Sequence, residues 1–501
     1  MFGKRKKMTG VTASAVSLLL AALFLFAACS DVQGNADETT ETAAVSQVSA
    51  ETTASLYDEN GYLLDKLPEK LDFGGVEIVT LYDNLVQMPD FFVDAENGDA
   101  VNDAIFRRNV RVEERLGVKL GYYGVAGTDK QDVYLAEVMA DYSGGDNRYA
   151  IYGAASRTIP YVSVKGILKD LLDSDYFFAE MPWWPVSLTD QLTINGKLLM
   201  CSGDISTMTL WQMSGMYYNK EIWGNAAKGF SLEDLVESGG WTVDKMIEIC
   251  SDFYIDNGDG AVNTADQFGF TCYDASFDAF LNSAGIVSID KDSEGKLAVT
   301  DDFAGEKTDT LVSKLGQFCK ENSTFHSDTQ KTARNQFYDG KSLFILDGVY
   351  VVSNNISKTS IDFDYGLIPT PKYDTDQERY ITGMRYSYMM YAVNAGSTLS
   401  GESVAVVEAL GSYGYRLVVP QIFEVTMKLR YSTDNQGSRM FDILREGVCF
   451  DIGRIYNYSM NNFYPNFRKY CFNNTPGWMK FVKSLSGTLP KQLENIAEIY
   501  N

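Results

Sequence analysis

The sequence contains a single histidine, His326, among its 501 residues. The chain therefore cannot supply two histidine ligands to a metal site. A Ser–His or Cys–His catalytic pair would have to use this one residue. His326 lies in the polar stretch 322–327, which predicts a solvated position in a loop. Carboxylate chemistry is not excluded in this way, because acidic residues are plentiful and a glycosidase needs only two suitably placed carboxyl groups.

Cysteine is sparse as well. Beyond Cys29, the chain has Cys201, Cys250, Cys272, Cys319, Cys449 and Cys471, and no two of them form a CxxC pair. These irregular spacings suggest neither a zinc knuckle nor a small disulfide scaffold. We expect the six cysteines to be buried thiols.

Positive charge is in short supply, with 43 basic residues against 67 acidic ones. Removal of residues 1–28, which hold four basic and no acidic residues, leaves 39 against 67 and a net formal charge of −28. Such a surface is repelled by phosphate backbones and anionic lipid headgroups, so nucleic-acid binding is excluded as a function class. Beyond the N-terminal region there is no stretch of eighteen apolar residues, which predicts a soluble body.

The first 28 residues are typical of a secretory signal peptide. Lys4, Arg5, Lys6 and Lys7 form a basic region, the mostly apolar run 15–26 follows, and Ala27-Ala28 precedes Cys29. This junction resembles a bacterial lipoprotein box, which implies that Cys29 becomes the diacylated N-terminus of an exported protein. The chain would then be anchored by lipid to the outer face of the cytoplasmic membrane. An ordinary cleaved signal peptide with an incidental cysteine is the alternative.

The segment that follows Cys29 predicts a flexible linker. Residues 30–55 are mostly Ala, Thr, Glu and Ser, with no aromatic residue, so they cannot bury enough apolar surface to offset their ordering entropy. We therefore assign residues 29–56 to the lipidated cysteine and a disordered stalk, which holds the globular body away from the membrane.

The hydrophobic pattern of the body predicts an α/β fold. A buried strand over 75–81 is followed by a helix with Val101, Ile105, Val112 and Leu116 on one face and Gly117 as its C-terminal cap. Extended structure at 118–122, a helix at 133–139 and a strand at 149–152 complete a largely parallel sheet with covering helices. Further along, the pattern predicts strands at 211–218, 341–346 and 388–393, helix caps at Ser231 and Thr242, and a mainly helical last hundred residues.

Five segments occur in the order found in a known family. They are 193–198 (TINGKL), 216–221 (MYYNKE), 239–245 (GGWTVDK), 337–344 (FYDGKSLF) and 364–373 (DYGLIPTPKY). Together they resemble the carbohydrate-type extracellular solute-binding lipoproteins of bacterial ABC importers, the maltodextrin-binding-like family 1. The resemblance extends from Gly75 to at least Arg454.

The resemblance implies a two-lobe, periplasmic-binding-protein-like α/β fold with a ligand cleft between the lobes. It places residues 57–204 and 392–445 in lobe 1, and residues 205–391 and 446–501 in lobe 2. The implied function is to capture a sugar, and an oligosaccharide in particular, by lobe closure and to deliver it to ABC permease subunits. The protein would be a monomer that touches the membrane only through its lipid anchor, with no catalytic residue and no nucleic-acid partner.

Candidate ligand-binding residues come from strand ends and from positions matching the family. Tyr82 and Asp83 end the first strand, where ligands of α/β proteins bind. The resemblance adds the remaining candidates: Ser156, Arg157, Gln212, Tyr350, Arg385, Tyr386, Asp451, Arg454 and Tyr456. A plain structural role is the alternative for each of them.

Met181-Pro182-Trp183-Trp184-Pro185 is interpreted as a packing segment rather than a sugar platform.

A calcium loop is a weaker hypothesis. Asn257, Asp259, Asn263 and Asp266 follow the spacing of an EF-hand-like loop, but Ile255 occupies the first ligand position and cannot coordinate a cation. A simple turn rich in Gly and Asn is the alternative, and no cofactor is predicted.

Three other functions stay open at this level. The same fold could present its ligand to a sensory membrane kinase, it could bind a peptide or another non-sugar solute, or the chain could be a surface glycosidase.

Overall fold

The computed structural model describes residues 56–351, 361–430 and 435–501, with only the backbone of Arg430 included. The predicted signal peptide, Cys29 and almost all of the predicted linker lie outside the described residues. Within the described ranges, no helix combines the length and the apolar character needed to cross a membrane.

The strands of the described ranges are short and form two main sheets and two small two-stranded ribbons. In chain order they are β1 (Val76–Asp83), β2 (Val118–Val125), β3 (Ile151–Ala155), β4 (Ser214–Asn219), β5 (Phe268–Tyr273), β6 (Ile289–Lys291), β7 (Leu297–Val299), β8 (Thr324–Ser327), β9 (Ser342–Gly348), β10 (Tyr365–Ile368), β11 (Thr382–Gly383), β12 (Met389–Val393) and β13 (Val448–Cys449).

The first sheet has the order β12-β3-β1-β2. β1 pairs in parallel with β2 and β3, in register Ile78 with Leu120 and Leu81 with Tyr152. The three strands predicted for this sheet thus pair in parallel as expected, and β12 joins the edge antiparallel to β3. β3 and β12 are fully buried and consist of continuous apolar runs. This composition is expected for strands of a sheet that helices cover on both faces.

The second sheet has the order β10-β4-β9-β5-β8. β5 pairs in parallel with β8 and β9, whereas β4 pairs antiparallel with β9 and β10. His326 lies in β8 opposite Cys272 and is exposed, so the predicted solvated position is confirmed and the predicted loop is wrong. The imidazole stacks on Phe472 with ring centroids 4.2 Å apart, and its Nδ1 lies 3.2 Å from Asp274 Oδ1.

The chain crosses between the two sheets several times, and the crossing segments contact one another. Met213 bridges Met384 in antiparallel fashion, and the Arg385 amide donates to the Gln212 carbonyl at 2.9 Å. Next to them, β11 pairs in parallel with β13. These neighbouring crossings connect one sheet to the other.

Helices cover the sheets and form the C-terminal part of the chain. They are α1 (Ala100–Leu116), α2 (Gln131–Gly144), α3 (Ile159–Ser163), α4 (Val186–Leu192), α5 (Met208–Trp211), α6 (Lys220–Asn225), α7 (Leu232–Glu237), α8 (Val243–Ser251), α9 (Ala279–Ser283), α10 (Asp301–Ala304), α11 (Glu306–Phe318), α12 (Gln330–Tyr338), α13 (Ser400–Tyr413), α14 (Asn435–Glu446), α15 (Ile452–Ile455), α16 (Asn466–Phe472), α17 (Trp478–Ser484) and α18 (Leu489–Glu498). Short 3₁₀ turns occur at Asp274–Asp278, Asn457–Met460 and Leu485–Gly487, and π-helical turns at Gly414–Val418 and Gln421–Arg430.

The predicted helix ends are confirmed by their caps. Gly117 ends α1 in the left-handed conformation, with φ 58°. The Ser231 and Thr242 side chains accept hydrogen bonds from the amides of Asp234 and Lys245, at 2.9 and 3.3 Å. The predicted strand at 211–218 is wrong at its start, because Trp211 ends α5 and the extended structure begins at Ser214.

The tryptophans of the Pro-Trp-Trp-Pro segment are core residues. Trp183 and Trp184 are fully buried, and Trp184 Nε1 donates to Glu408 Oε2 at 3.0 Å, so the packing interpretation is confirmed. The six cysteines of the described ranges are free, and all except the half-buried Cys449 are buried.

Candidate ligand cavity between the two sheets

A cavity of about 680 Å³ opens where the parallel strands of both sheets end. Its first-sheet wall consists of residues that follow β1, β2 and β3, and its second-sheet wall of residues at the ends of β5 and β8. Ligands of open α/β sheets bind outside the carboxyl ends of the strands. The complete lining is Gln87, Thr128, Asp129, Arg157, Tyr273, Ala275, Asp328, Gln330, Arg385, Tyr386, Ser387, Arg454, Asn457, Tyr458, Asn462, Pro465, Arg468 and Lys469.

The first-sheet wall is held in place by Asp83, the last residue of β1. Its buried carboxylate accepts from the Gly127 amide at 2.9 Å and from the Thr128 hydroxyl at 2.7 Å. These bonds fix the loop that presents Thr128 and Asp129 to the cavity. Asp129 forms an ion pair with Arg157, which follows β3.

Tyr386 lies at the centre of the charged lining, between two arginines from distant parts of the chain. Its ring centroid is 4.0 Å from Cζ of Arg454 and 5.3 Å from Cζ of Arg157. Guanidinium groups at these distances are attracted to the negative face of an aromatic ring. Burial raises the pKa of Tyr386 to about 12, against the opposing effect of Arg454, so its hydroxyl stays protonated at neutral pH.

Two buried carboxylates, those of Asp347 and Asp278, form ion pairs with basic side chains of the lining. Asp347 accepts from Arg385 Nη1 at 2.6 Å and from Arg334 Nε at 2.7 Å. Burial would raise the pKa of Asp347, but the two arginines lower it below its usual range. Asp278 accepts from Arg468 Nη1 at 2.5 Å.

Several donors at the cavity have no hydrogen-bond partner among the described residues. They are Nε and Nη1 of Arg454, Nε of Arg157 and the hydroxyl of Tyr386, and all four atoms are buried. Arg454 is only 8% exposed, and its Nη1 lies 3.7 Å from Asp278 Oδ2, beyond hydrogen-bonding distance. Buried donors without partners cost free energy, and an acceptor admitted by a movement of the lining would relieve that cost.

The structure brings four of the candidate residues into the cavity lining: Arg157, Arg385, Tyr386 and Arg454. Two others contact the lining from behind. Ser156 Oγ donates to the Tyr386 carbonyl at 2.7 Å, and Gln212 Nε2 donates to Gln87 Oε1 at 3.1 Å.

The remaining candidates lie outside the lining. Tyr82 packs against Phe91 and Phe92, and Asp83 orders its loop as described above. The Tyr350 hydroxyl accepts from Arg334, and the ring lies 5.7 Å from Cζ of Arg385.

The two candidates near the C-terminus that miss the lining have internal partners. Asp451 caps α15 and accepts from the amide and hydroxyl of Ser288, both at 2.9 Å. The Tyr456 hydroxyl lies 2.7 Å from that of Tyr500. These side chains shape the fold around the cavity.

Sequence reasoning did not find the C-terminal lining residues Asn457, Tyr458, Asn462, Arg468 and Lys469, nor Tyr273 at the end of β5. One signal was present in the sequence. Within an acidic chain, the segment 454–469 carries Arg454, Arg468 and Lys469 and no acidic residue.

The hypothetical calcium loop directs backbone and side-chain N–H groups at its carboxylates. Asp266 accepts from the amides of Asn257 and Asn263, both at 3.0 Å, and Asp259 accepts from the Ala261 amide at 2.8 Å. Among the described residues no group of three or more His, Cys, Asp or Glu side chains is arranged to hold a metal ion. This hydrogen-bond pattern is that of an Asx-rich turn.

Comparison with solved structures identifies the architecture. UspC of M. tuberculosis superposes with a TM-score of 0.52 at 15% identity, covering 83% of this chain and 100% of its own. The GacH receptor of Streptomyces glaucescens gives 0.51 at 13% identity, covering 85% and 97%. A cyclo/maltodextrin-binding protein in complex with maltotetraose gives 0.52 at 12% identity, covering 84% and 96%. This is the two-lobe fold of the periplasmic solute-binding proteins.

The predicted two-lobe fold is thereby confirmed. No protein-family model matches the sequence, and no curated protein matches it. At these identities, the solved structures establish the fold alone.

Proposed function

We propose that this protein is an extracellular solute-binding protein that captures a saccharide between its lobes for an ABC importer. The observation that carries the proposal is the cavity between the two sheets, which combines tyrosine rings with planar and charged hydrogen-bonding groups. Sugars offer apolar C–H faces for aromatic rings and hydroxyl groups for planar donors and acceptors. Tyr273, Tyr386 and Tyr458 supply the rings, and Gln330, Asn457 and Asn462 supply amides.

The solved structures support a saccharide as the ligand class. Among the similar folds, GacH was crystallised with acarbose, and the cyclo/maltodextrin-binding protein with maltotetraose. In the proposed mechanism the ligand contacts both walls, so it binds the closed arrangement better than the open one and shifts the population toward it. The segments at 212–213, 382–385 and 448–449 form the hinge in this mechanism, because the chain crosses from one sheet to the other through them. No bond in the ligand is made or broken.

Within this proposal, lobe 1 is residues 57–204 and 392–445 and lobe 2 is residues 205–391 and 446–501. Arg157, Arg385, Tyr386 and Arg454 contact the ligand, and the other candidates act as positioning residues.

Cys29 carries the lipid anchor that holds a monomer beside its permease. Substitution Cys29→Ala should release the protein from the membrane fraction, whereas retention there would contradict the anchor.

A thermal-shift screen of residues 56–501 against mono- and oligosaccharides tests the function. A saccharide present at 100 times its Kd should stabilise the protein by about 2.7 kcal/mol, which raises the melting temperature measurably. Recovery of the intact saccharide supports capture, whereas cleavage products would establish a glycosidase. Stabilisation by peptides alone would contradict the sugar assignment while leaving the fold unaffected.

A further inference from the structure

The charge of the cavity is opposite to the charge of the chain. Five basic side chains line it, from Arg157, Arg385, Arg454, Arg468 and Lys469, against two acidic ones, from Asp129 and Asp328. The full sequence, in contrast, has a net charge of −24. A surface charged at random in proportion to this composition would place more carboxylates than cations here, so the lining has a specific electrostatic character.

The buried carboxylates nearby do not neutralise this excess. Asp347 is shared between Arg385 and Arg334, and Asp278 between Arg468 and the more distant Arg454. Each carboxylate therefore faces two guanidinium groups. Lys469 is exposed and takes part in no ion pair with a described residue.

The unpartnered donors lie in the same place as the excess charge. Nε and Nη1 of the buried Arg454 have no acceptor among the described residues, and neither has Nε of Arg157, which contacts the same Tyr386 ring. A guanidinium group presents its N–H donors in a plane that matches the two oxygens of a carboxylate. A neutral hydroxyl can accept one such bond, but it would leave the excess positive charge without a counter-charge.

We propose that the ligand is an acidic saccharide, whose carboxylate or sulfate oxygens accept from Arg454 and whose ring packs beside Tyr386. The inference rests on the proposed function and narrows its substrate class. Arg157 and Lys469 add attraction for the anion as it enters, and the acidic remainder of the surface disfavours binding of anions elsewhere.

The test compares ligands that differ only in charge. Oligosaccharides of galacturonate, glucuronate and mannuronate are titrated calorimetrically into residues 56–501, each beside its methyl ester. A sulfated disaccharide, inorganic sulfate and neutral maltotriose complete the set. We expect at least one acidic saccharide to bind ten or more times tighter than its uncharged counterpart, and its affinity to fall as salt is raised.

Protein variants locate the effect. Arg454→Gln should weaken binding of the acidic saccharide at least tenfold and weaken binding of the ester several times less, because the ester carries no charge for the guanidinium group to neutralise. Lys469→Gln, at an exposed position, should weaken binding of the acid more than binding of the ester and make binding of the acid less dependent on salt. Arg111→Gln is the matched control, since Arg111 is 64% exposed in α1 and its one ion pair with a described residue is with Glu114 at 3.6 Å.

The possible results separate the two proposals. Preference for the uronate acid, or for the sulfated disaccharide, supports the inference and names the acidic group. Equal binding of acid and ester, or tight binding of maltotriose alone, overturns the inference and leaves saccharide capture intact. Inorganic sulfate binding as tightly as any saccharide also overturns it. Absence of binding by every saccharide would overturn the proposed function itself.

Discussion

The Arg454 guanidinium lies over the Tyr386 ring, with Cζ 4.0 Å from the ring centroid. Tyr386 belongs to the crossing segment that precedes β12, and Arg454 lies in α15 near the C-terminus. Arg157, which follows β3, approaches the same ring at 5.3 Å. One aromatic side chain thus joins the first sheet, a crossing segment and the C-terminal helices at the cavity.

Removal of the Tyr386 ring should therefore damage binding more than removal of its hydroxyl. Tyr386→Phe keeps the cation–π contacts and removes only a buried hydroxyl that has no partner among the described residues. That hydroxyl can donate one hydrogen bond to the ligand, so we expect its removal to lower the affinity by no more than about tenfold. Tyr386→Ala should lose more than tenfold, because both guanidinium groups lose their support. Calorimetric titration of a saccharide that stabilises the wild type measures both, and equal effects of the two substitutions would contradict this arrangement.

Glu408 should make the stability of the protein depend on pH. Burial raises the pKa of its carboxyl to about 8, although the Trp184 side chain and the Phe178 amide donate to it and lower that value. The folded state thus holds a proton that the unfolded state releases near pH 4.5. Its contribution is fully present below pH 4.5 and is lost as the pH rises through 8.

Glu408→Gln removes this titration while it preserves an acceptor for Trp184. Between pH 5 and 8, the unfolding free energy of the wild type should fall relative to that of Glu408→Gln by up to about 1.4 kcal/mol per pH unit. Urea unfolding at several pH values measures the difference. A constant difference across this range would show that Glu408 does not exchange a proton on folding.

Gly414 marks a close approach of two backbone segments. A Cβ added there would lie 1.9 Å from the Asp204 carbonyl oxygen, and backbone cannot move aside as a flexible side chain can. We expect Gly414→Ala to destabilise the protein by about 1–3 kcal/mol. Gly401→Ala in α13 is the control: nothing lies within 4 Å of the added methyl group, so stability should stay unchanged or rise by up to about 1 kcal/mol. Thermal unfolding of both variants decides the matter, and similar melting temperatures would contradict the predicted clash.

The sequence was informative where structure is set locally. Gly117, Ser231 and Thr242 act at the helix ends they occupy because a cap depends on neighbouring amides. Arg157 was predicted from the family resemblance, at a position that follows a recognisable buried strand. Arg468 and Lys469 were not predicted, because the other residues that line the cavity are distant from them in the sequence. Only the packing of the C-terminal helices brings these two residues to the cavity. Tyr350 shows the reverse: the family resemblance made it a candidate, but Arg334 and Arg385 contact its ring outside the lining.

In the proposed mechanism the two lobes close over a bound saccharide, and a distance measured between the lobes tests this closure most directly. Ala136 in α2 and Asn335 in α12 are exposed on helices that follow β2 and β8, one on each side of the cavity. Spin labels on Ala136→Cys and Asn335→Cys, in a Cys449→Ser background, report the separation by pulsed electron spin resonance. We predict that a stabilising saccharide shortens this distance by several ångströms and that its removal restores the original value. An unchanged distance at saturating saccharide would contradict capture by lobe closure.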